Sequence, residues 1–276
     1  MTIAVVLIHA TAQLAPVSDT PRLDAELLMA HALGISREAM LLGHLDAAAP
    51  PAFAPLLARR MAHEPLAYIA GTRDFWTISL HVVPGVLIPR PDSETLIDAA
   101  VAHFGKAGPK RVLDLGTGSG ALLLAALAEW PNADGLGIDA SVGALAVARQ
   151  NAAALGLSDR ANFLGGNWAV GITEQFDLIL CNPPYVETAA ALPQEVRDFE
   201  PASALFAGVD GLDDYRQIIP QLPALMAPGG IACLEIGYTQ PEPVSALAEL
   251  EGLRVQLRHD LAGHPRCLIL SDGGDA

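Results

Sequence analysis

The chain has 276 residues, 51% hydrophobic and 17% charged, with 16 Lys and Arg against 31 Asp and Glu, for a net charge of −15. So much apolar material excludes global disorder, and the acidity speaks against a broad basic surface that grips nucleic-acid phosphates, though not against a local basic patch. The length suits a compact enzyme domain of about 190 residues with a smaller companion.

A mean hydropathy of +0.35 raises the question of a membrane. No window of about 18 apolar residues occurs, so no spanning helix is expected. The longest apolar run, Ala121 to Ala128, ends at Glu129. Met1–Ile8 is apolar, but no basic segment precedes it and His9 and Gln13 interrupt it, so no export signal is read. Cys181, Cys233 and Cys267 are scattered in apolar runs. That pattern predicts buried free thiols in a reducing cytoplasm.

Residues 1–71 read as an all-helical module. Thr20-Pro21 starts a helix with Leu23, Leu27, Leu28 and Ala32 at helical spacing, and Gly34 ends it. Ser36 is an N-cap for Arg37 to Gly43. A further helix runs from about Ala52 to His63, with Arg59 and Arg60 near the end where cations suit the helix dipole. Residues 72–91 read as a rigid joint of two short strands, Arg73–Leu80 and Val82–Ile88, with a Pro84-Gly85 turn inside the second. Pro89 and Pro91 stiffen the chain, and Asp92 or Ser93 is placed to cap the next helix.

From Arg111 strands and helices alternate. Strands are expected at Arg111–Leu115, Gly135–Ile138, Asn162–Leu164, Phe176–Cys181 and Ile231–Ile236, with Arg254–Arg258 and Arg266–Ser271 as a closing hairpin. This α/β alternation implies a parallel sheet with helices on both faces. Charge divides unevenly: residues 1–84 hold 5 basic and 7 acidic side chains, residues 85–276 hold 11 and 24. Residues 187–214 carry Glu187, Glu195, Asp198, Glu200, Asp210, Asp213 and Asp214 against Arg197.

Two motifs carry chemistry. Asp114-Leu115-Gly116-Thr117-Gly118-Ser119-Gly120 follows a strand and opens a helix. Glycines there allow positive φ and close approach of a ligand, and the helix N-terminus favours an anionic group such as a carboxylate. Asp139 ends the next strand, where a carboxylate can accept from ribose hydroxyls. Gly116-x-Gly118-x-x-Ala121 also satisfies the looser dinucleotide fingerprint, so a nicotinamide enzyme stays open. Asp114 and the third alternating glycine point instead to S-adenosylmethionine-dependent methyltransferases of the Rossmann-like class, which the pattern resembles. The second motif, Asn182-Pro183-Pro184-Tyr185, ends another strand. The prolines fix the backbone and leave their carbonyls as aimed acceptors, Asn182 adds an amide, and Tyr185 offers a flat face. This set suits a planar NH₂, whose lone pair two acceptors can aim at an electrophile, and it stabilises the positive charge that then develops.

Other polar residues read more plainly. Eight histidines include no HExxH and no tight His/Cys cluster, so no metal is expected, and His259 and His264 read as surface residues. Arg90 either lines the site mouth or pairs with a structural carboxylate. Glu94 and Arg197 read as structural, Trp76 and Trp130 as packing, and Glu235 as one half of a structural pair.

The combined pattern resembles the release factor glutamine methyltransferases of the PrmC/HemK type over nearly the whole chain. The residues that carry it are Pro65–Gly71 with Phe75, the segment Leu87-Ile88-Pro89-Arg90-Pro91-Asp92-Ser93-Glu94, the glycine loop, the N-P-P-Y tetrad, Leu234–Gly237 with Gln240, and Asp260–Gly263. The resemblance implies a Rossmann-like class I methyltransferase domain with a mostly parallel seven-stranded sheet over 92–276. It also implies a helical substrate-docking domain over 1–71 and a β-hairpin and proline joint over 72–91. The implied reaction moves a methyl from S-adenosyl-L-methionine, leaving S-adenosyl-L-homocysteine, to the N5 amide nitrogen of the glutamine in the Gly-Gly-Gln loop of peptide chain release factors. By motif, Gly116, Thr117, Gly118, Ser119, Gly120, Asp139, Asn167, Trp168 and Asn182 hold the cofactor. Asn182, Pro183 and Tyr185 are catalytic, and Asn182, Pro183, Pro184, Tyr185 and Arg90 meet the substrate. A cytoplasmic monomer is expected, with no nucleic acid or membrane partner. Ser93 stands where the family usually has Thr, and Asn167 where an acidic residue is common. Rival readings are an adenine-amino methyltransferase acting on DNA or RNA, which the acidic 187–214 band opposes, and a non-catalytic protein that keeps a cofactor fold.

Overall fold

In the computed structural model, which describes residues 1–273, the chain divides into two units. One holds residues 1–72 and 192–199, the other 73–191 and the chain from Glu200 onward. The last three residues of the domain expected over 92–276 lie outside the described residues.

The first unit begins with a helix where the sequence showed only an apolar stretch. α1 (Ile3–Leu14) buries Ile3, Leu7, Ala10 and Leu14, whose spacing puts all four on one face. α2 (Pro21–Leu33) has proline at its first position and stops at Gly34, in the left-handed region with φ +67°. α3 (Arg37–Gly43) is capped by Ser36, whose Oγ accepts from the Ala39 amide at 3.1 Å. α4 (Phe53–Met61) and α5 (Leu66–Ala70) close a core built on Leu28, Met29, Met40, Phe53 and Ile69. The inner face of α2 differs from the expected one. Leu23 is exposed, and Asp24 and Glu26 are buried. Asp24 accepts from Arg60 Nε at 2.7 Å, and Glu26 accepts from Arg22 and Arg37. A carboxylate is buried at tolerable cost only with such partners.

In the second unit, β1 (Thr72–Phe75) and β2 (Ile78–His81) make a two-stranded hairpin. This corrects the expected strands: Arg73–Leu80 is itself the hairpin, bent at Trp76 with φ +54°, and Val82–Ile88 is irregular chain. α6 (Glu94–Phe104) follows a 3₁₀ turn at Pro91–Ser93. Ser93 precedes this helix but makes no capping bond, and Asp92 pairs with Arg266 at 3.2 Å.

The main sheet then forms in the expected alternation. β3 (Arg111–Leu115), α7 (Ala121–Glu129), β4 (Asp134–Asp139), α8 (Val142–Ala154), β5 (Ala161–Gly165) and β6 (Phe176–Cys181) come first. After β6 the chain passes into the first unit as α9 (Gln194–Phe199), where Glu195 accepts from Arg60 Nη1 at 2.9 Å. The sequence had assigned this segment to the methyltransferase domain. α10 (Asp213–Ile218), α11 (Leu222–Leu225), β7 (Met226–Glu235), α12 (Pro241–Leu250), β8 (Leu253–His259) and β9 (Pro265–Asp272) complete the second unit. The seven strands lie in the order β5-β4-β3-β6-β7-β9-β8, parallel from β5 to β7 and antiparallel at β9 and β8.

Side chains of one strand alternate between the two faces. Val112, Leu178, Leu180, Ile231 and Cys233 enter the core with α6 and α7. Their neighbours Leu113, Ile179, Ala232 and Leu234 enter the opposite core with α10 and α12. Both faces are covered, which explains why these strands read as unbroken apolar runs. The three cysteines are free and buried. Among the described residues no helix is long and apolar enough to cross a membrane.

Candidate active site

β3 lies between β4 and β6. Leu115 is level with Ile138 on one side and with Cys181 on the other. Gly116, Asp139 and Asn182 therefore stand together at the carboxyl edge of three adjacent strands. The strand order reverses here, because the chain runs outward through β4 and β5 and then crosses back to β6. A crevice is expected at such a switch point, and a cavity of about 510 Å³ occupies it.

Gly116, Thr117, Gly118 and Ser119 line this cavity, as do Asp139, Asn167, Trp168, Asn182, Pro184 and Arg90. Three expected residues do not. Gly120 packs away from it: at φ +85° it heads α7, and a Cβ there would come within 3.0 Å of Leu124 Cδ1. Pro183 is buried, and Tyr185 stands outside the lining with its hydroxyl donating to Glu235 Oε1 at 3.2 Å.

Gly116 has φ +71°, and a Cβ there would lie 3.2 Å from the Trp168 ring. Glycine thus lets the indole lie against the loop backbone. Trp168 itself has φ +50°, a costly conformation for a bulky residue and one that concentrates at functional sites. Asp139 accepts from the Gly118 and Ser141 amides, both at 2.8 Å. A carboxylate has about four acceptor positions, so some remain for a ligand.

Asp114 is 1% exposed and accepts from Thr117 Oγ1 at 2.6 Å and from the Leu123 amide at 3.3 Å. Burial pushes its carboxyl up to about 7 despite these bonds. Its Oδ1 and the Ser119 hydroxyl are buried without a hydrogen-bond partner, although both residues line the cavity. Buried polar atoms are rarely left so. A ligand with an ammonium group would satisfy the carboxyl.

The Asn182 amide Nδ2 donates to Ser93 Oγ at 3.0 Å. Its carbonyl Oδ1 is thereby left as the acceptor end. The tetrad behind it is clamped, since Gln240 Nε2 donates to the Tyr185 carbonyl at 3.0 Å. Arg90 combines both of its open readings. It lines the cavity and also pairs with Glu200, which is buried and takes the Ile88 amide at 3.2 Å. Glu94 accepts from the Trp76 amide, and Arg197 pairs with Asp198 on the surface, so both are structural.

Sequence reasoning missed Ser93, Asp214 and Phe75 as cavity residues. Burial raises the Asp214 carboxyl. Nothing in local spacing pairs Ser93 with a residue 89 positions away, nor marks one acid within an acidic run.

The family model described as "PrmC N-terminal domain" matches residues 6–71 and that described as "Methyltransferase small domain" matches 93–203. The release factor glutamine methyltransferase of Rhodospirillum rubrum is 47% identical over 257 residues, covering 91% of this chain and 79% of that protein. The chain belongs to the release factor glutamine methyltransferase family. The Caulobacter vibrioides member of the family is 42% identical, covering 91% of this chain and 89% of that one. A methyltransferase from Pyrococcus furiosus, 16% identical, superposes with a TM-score of 0.55 over 79% of this chain and 98% of its own, which shows the shared fold.

Proposed function

We propose that this protein transfers a methyl group from S-adenosylmethionine to the side-chain amide nitrogen of the glutamine in the Gly-Gly-Gln loop of a peptide chain release factor. One observation carries the reading: Asn182, at the cavity wall beside the glycine loop, has its NH₂ held by Ser93 and its carbonyl oxygen left to accept. An amide NH₂ is the group such an acceptor orients. Family membership supports the same chemistry.

The cavity fits the methyl donor. The unpartnered Asp114 Oδ1 would take its ammonium, Asp139 its ribose hydroxyls, and Trp168 with Asn167 its adenine. Gly116 to Ser119 would line the methionine part. When bound, S-adenosylmethionine supplies an electrophilic methyl group on a cationic sulfur. The protein's own work is positional and electrostatic. Asn182 Oδ1 and the fixed carbonyls of the tetrad accept the two amide hydrogens, orient the lone pair in line, and stabilise positive charge growing on nitrogen. The nitrogen becomes acidic as it bonds, so no strong base is needed first. Arg90 would meet the substrate at the cavity wall, and the helical unit over 1–71 would dock the remainder of the release factor.

Incubation with labelled S-adenosylmethionine and intact release factor tests this reading. Label on the glutamine supports it. Label on DNA or RNA but not on release factor replaces it with the adenine-amino reading.

A further inference from the structure

We propose that Gln240 is a positioning residue for methyl transfer: its side-chain amide pins the exit of the Asn182–Tyr185 tetrad and so fixes the aim of Asn182. This deepens the methyl-transfer reading above and rests on it. Gln240 closes one of the segments singled out in the sequence, and it does not line the cavity. It stands at the N-cap position of α12, where a side chain ordinarily serves its own helix. Here it makes no capping bond, and Pro241 and Pro243 in the first turn have no N–H to be capped.

The amide is spent elsewhere. Gln240 is 7% exposed, and each of its polar ends bonds main chain. Nε2 donates to the Tyr185 carbonyl at 3.0 Å and to the Gly211 carbonyl at 3.3 Å, while Oε1 accepts from the Gly237 amide at 3.0 Å. Two carbonyls and one N–H admit a single orientation of the amide. The packing around it is close. A Cβ on Gly211 would collide with the Tyr185 carbonyl and lie 2.7 Å from Gln240 Nε2. A Cβ on Gly237 would lie 2.8 Å from Gln240 Oε1. Glycine at both places lets the segments close on one side chain.

The clamp reaches Asn182 through the backbone. Cys181, before the tetrad, is held in register with Leu115 of β3 and Leu234 of β7. Pro183 and Pro184 lock their own φ angles, so few soft torsions separate Asn182 from Tyr185. Fixing the Tyr185 carbonyl at one end and β6 at the other holds Asn182 between them. The other cavity walls have their own anchors. Tyr215 on α10 donates its hydroxyl to the Glu235 main-chain carbonyl at 2.7 Å, and Asp139 holds the Gly118 amide at 2.8 Å. Loss of Gln240 therefore moves the acceptor and leaves the cofactor's walls in place. A misplacement of about 1 Å in an aligned reacting group costs up to about 10² in rate.

The test is the single-turnover rate of methyl transfer to intact release factor, expressed per cofactor-binding site counted by calorimetry. Counting sites separates aim from folding, since a merely structural residue lowers the number of sites and leaves the rate of each unchanged. Q240L removes all three bonds, and Q240E places an acceptor against two carbonyls. G211A presses on the Tyr185 carbonyl with Gln240 intact. G252A is the control for backbone strain, because Gly252 has φ +76° with open space around it. Q240L, Q240E and G211A should each lose about tenfold or more in rate per site, with cofactor Kd near wild type and G252A unaffected. Wild-type rates per site in the two Gln240 variants overturn the proposal. So does a loss matched by equal loss of cofactor affinity, or a G252A loss as large as that of G211A. Hydrogen exchange on the wild-type protein decides without any variant. The Gly237 amide should be protected, and exchange at the rate of an open amide overturns the clamp. Absence of any transfer by wild type brings down the methyl-transfer reading and this role with it, whereas loss confined to the variants bears on Gln240 alone.

Discussion

In the proposed reaction Asn182 aims a weak nucleophile and no general base deprotonates it first. Asn182→Ala should lower the transfer rate by about 10² or more while S-adenosylmethionine binding, read by calorimetry, stays near wild type. Asp114 and Glu235 give a second test, because burial raises both carboxyls to about 7 from ordinary values of 3.8 and 4.5. Between those limits the folded protein holds protons that the unfolded chain has released. Folding stability contributed by these groups must therefore fall as pH rises from about 4 to 7, on the order of a few kcal/mol apiece at most. Urea unfolding should show Asp114→Asn losing its share of that slope, and a slope unchanged in the variant contradicts the assigned burial cost. The glycine loop and the tetrad were legible in the sequence because each is contiguous and bounded by a strand. The Ser93 contact was not, since only tertiary folding joins residues so far apart, and Ser93 looked like a helix cap because serine often is one.

α7 packs against the sheet with Leu122 to Leu127 all buried. Gly120 at its head has φ +85° and sits against Leu124 and Ala148. Gly34 after α2 has φ +67° but open space around it. Gly34→Ala should thus cost only the conformational penalty of about 1–2 kcal/mol. Gly120→Ala should cost more, with a larger drop in Tm by calorimetry. Equal drops would mean that the Gly120 packing contact is unimportant. Strands β3 and β6 were read at their observed bounds because a strand buried on both faces is an apolar run with polar ends. The hairpin is not legible in the sequence because its bend is at Trp76, a residue type that gives no turn signal, while Pro84-Gly85 gives one where no strand pairing occurs. α1 is masked in the sequence because Met1–Ile8 is apolar on all sides, and the buried face of Ile3, Leu7, Ala10 and Leu14 emerges only in the fold.

For the molecule as a whole, the net charge of −15 is distributed with more local neutralisation than the sequence implied. Five of the seven acids in 187–214 pair with arginines: Glu195 with Arg60, Asp198 with Arg197, Glu200 with Arg90, and Asp210 and Asp213 with Arg216. Little open acid therefore remains in this band to attract a basic loop. KM for the release factor should shift little between about 50 and 200 mM salt, whereas recognition by unpaired charge would make it climb steeply. The carboxyl-edge site follows from topology, since the strand order brings the ends of β3, β4 and β6 to one level. On the proposed reading this edge methylates a glutamine amide. The most direct measurement is mass spectrometry of intact release factor after incubation with S-adenosylmethionine and this protein. A single added methyl on the glutamine of the Gly-Gly-Gln loop, absent with Asn182→Ala, is the predicted result. An unmodified glutamine with wild-type protein, under conditions where the cofactor binds, would contradict it.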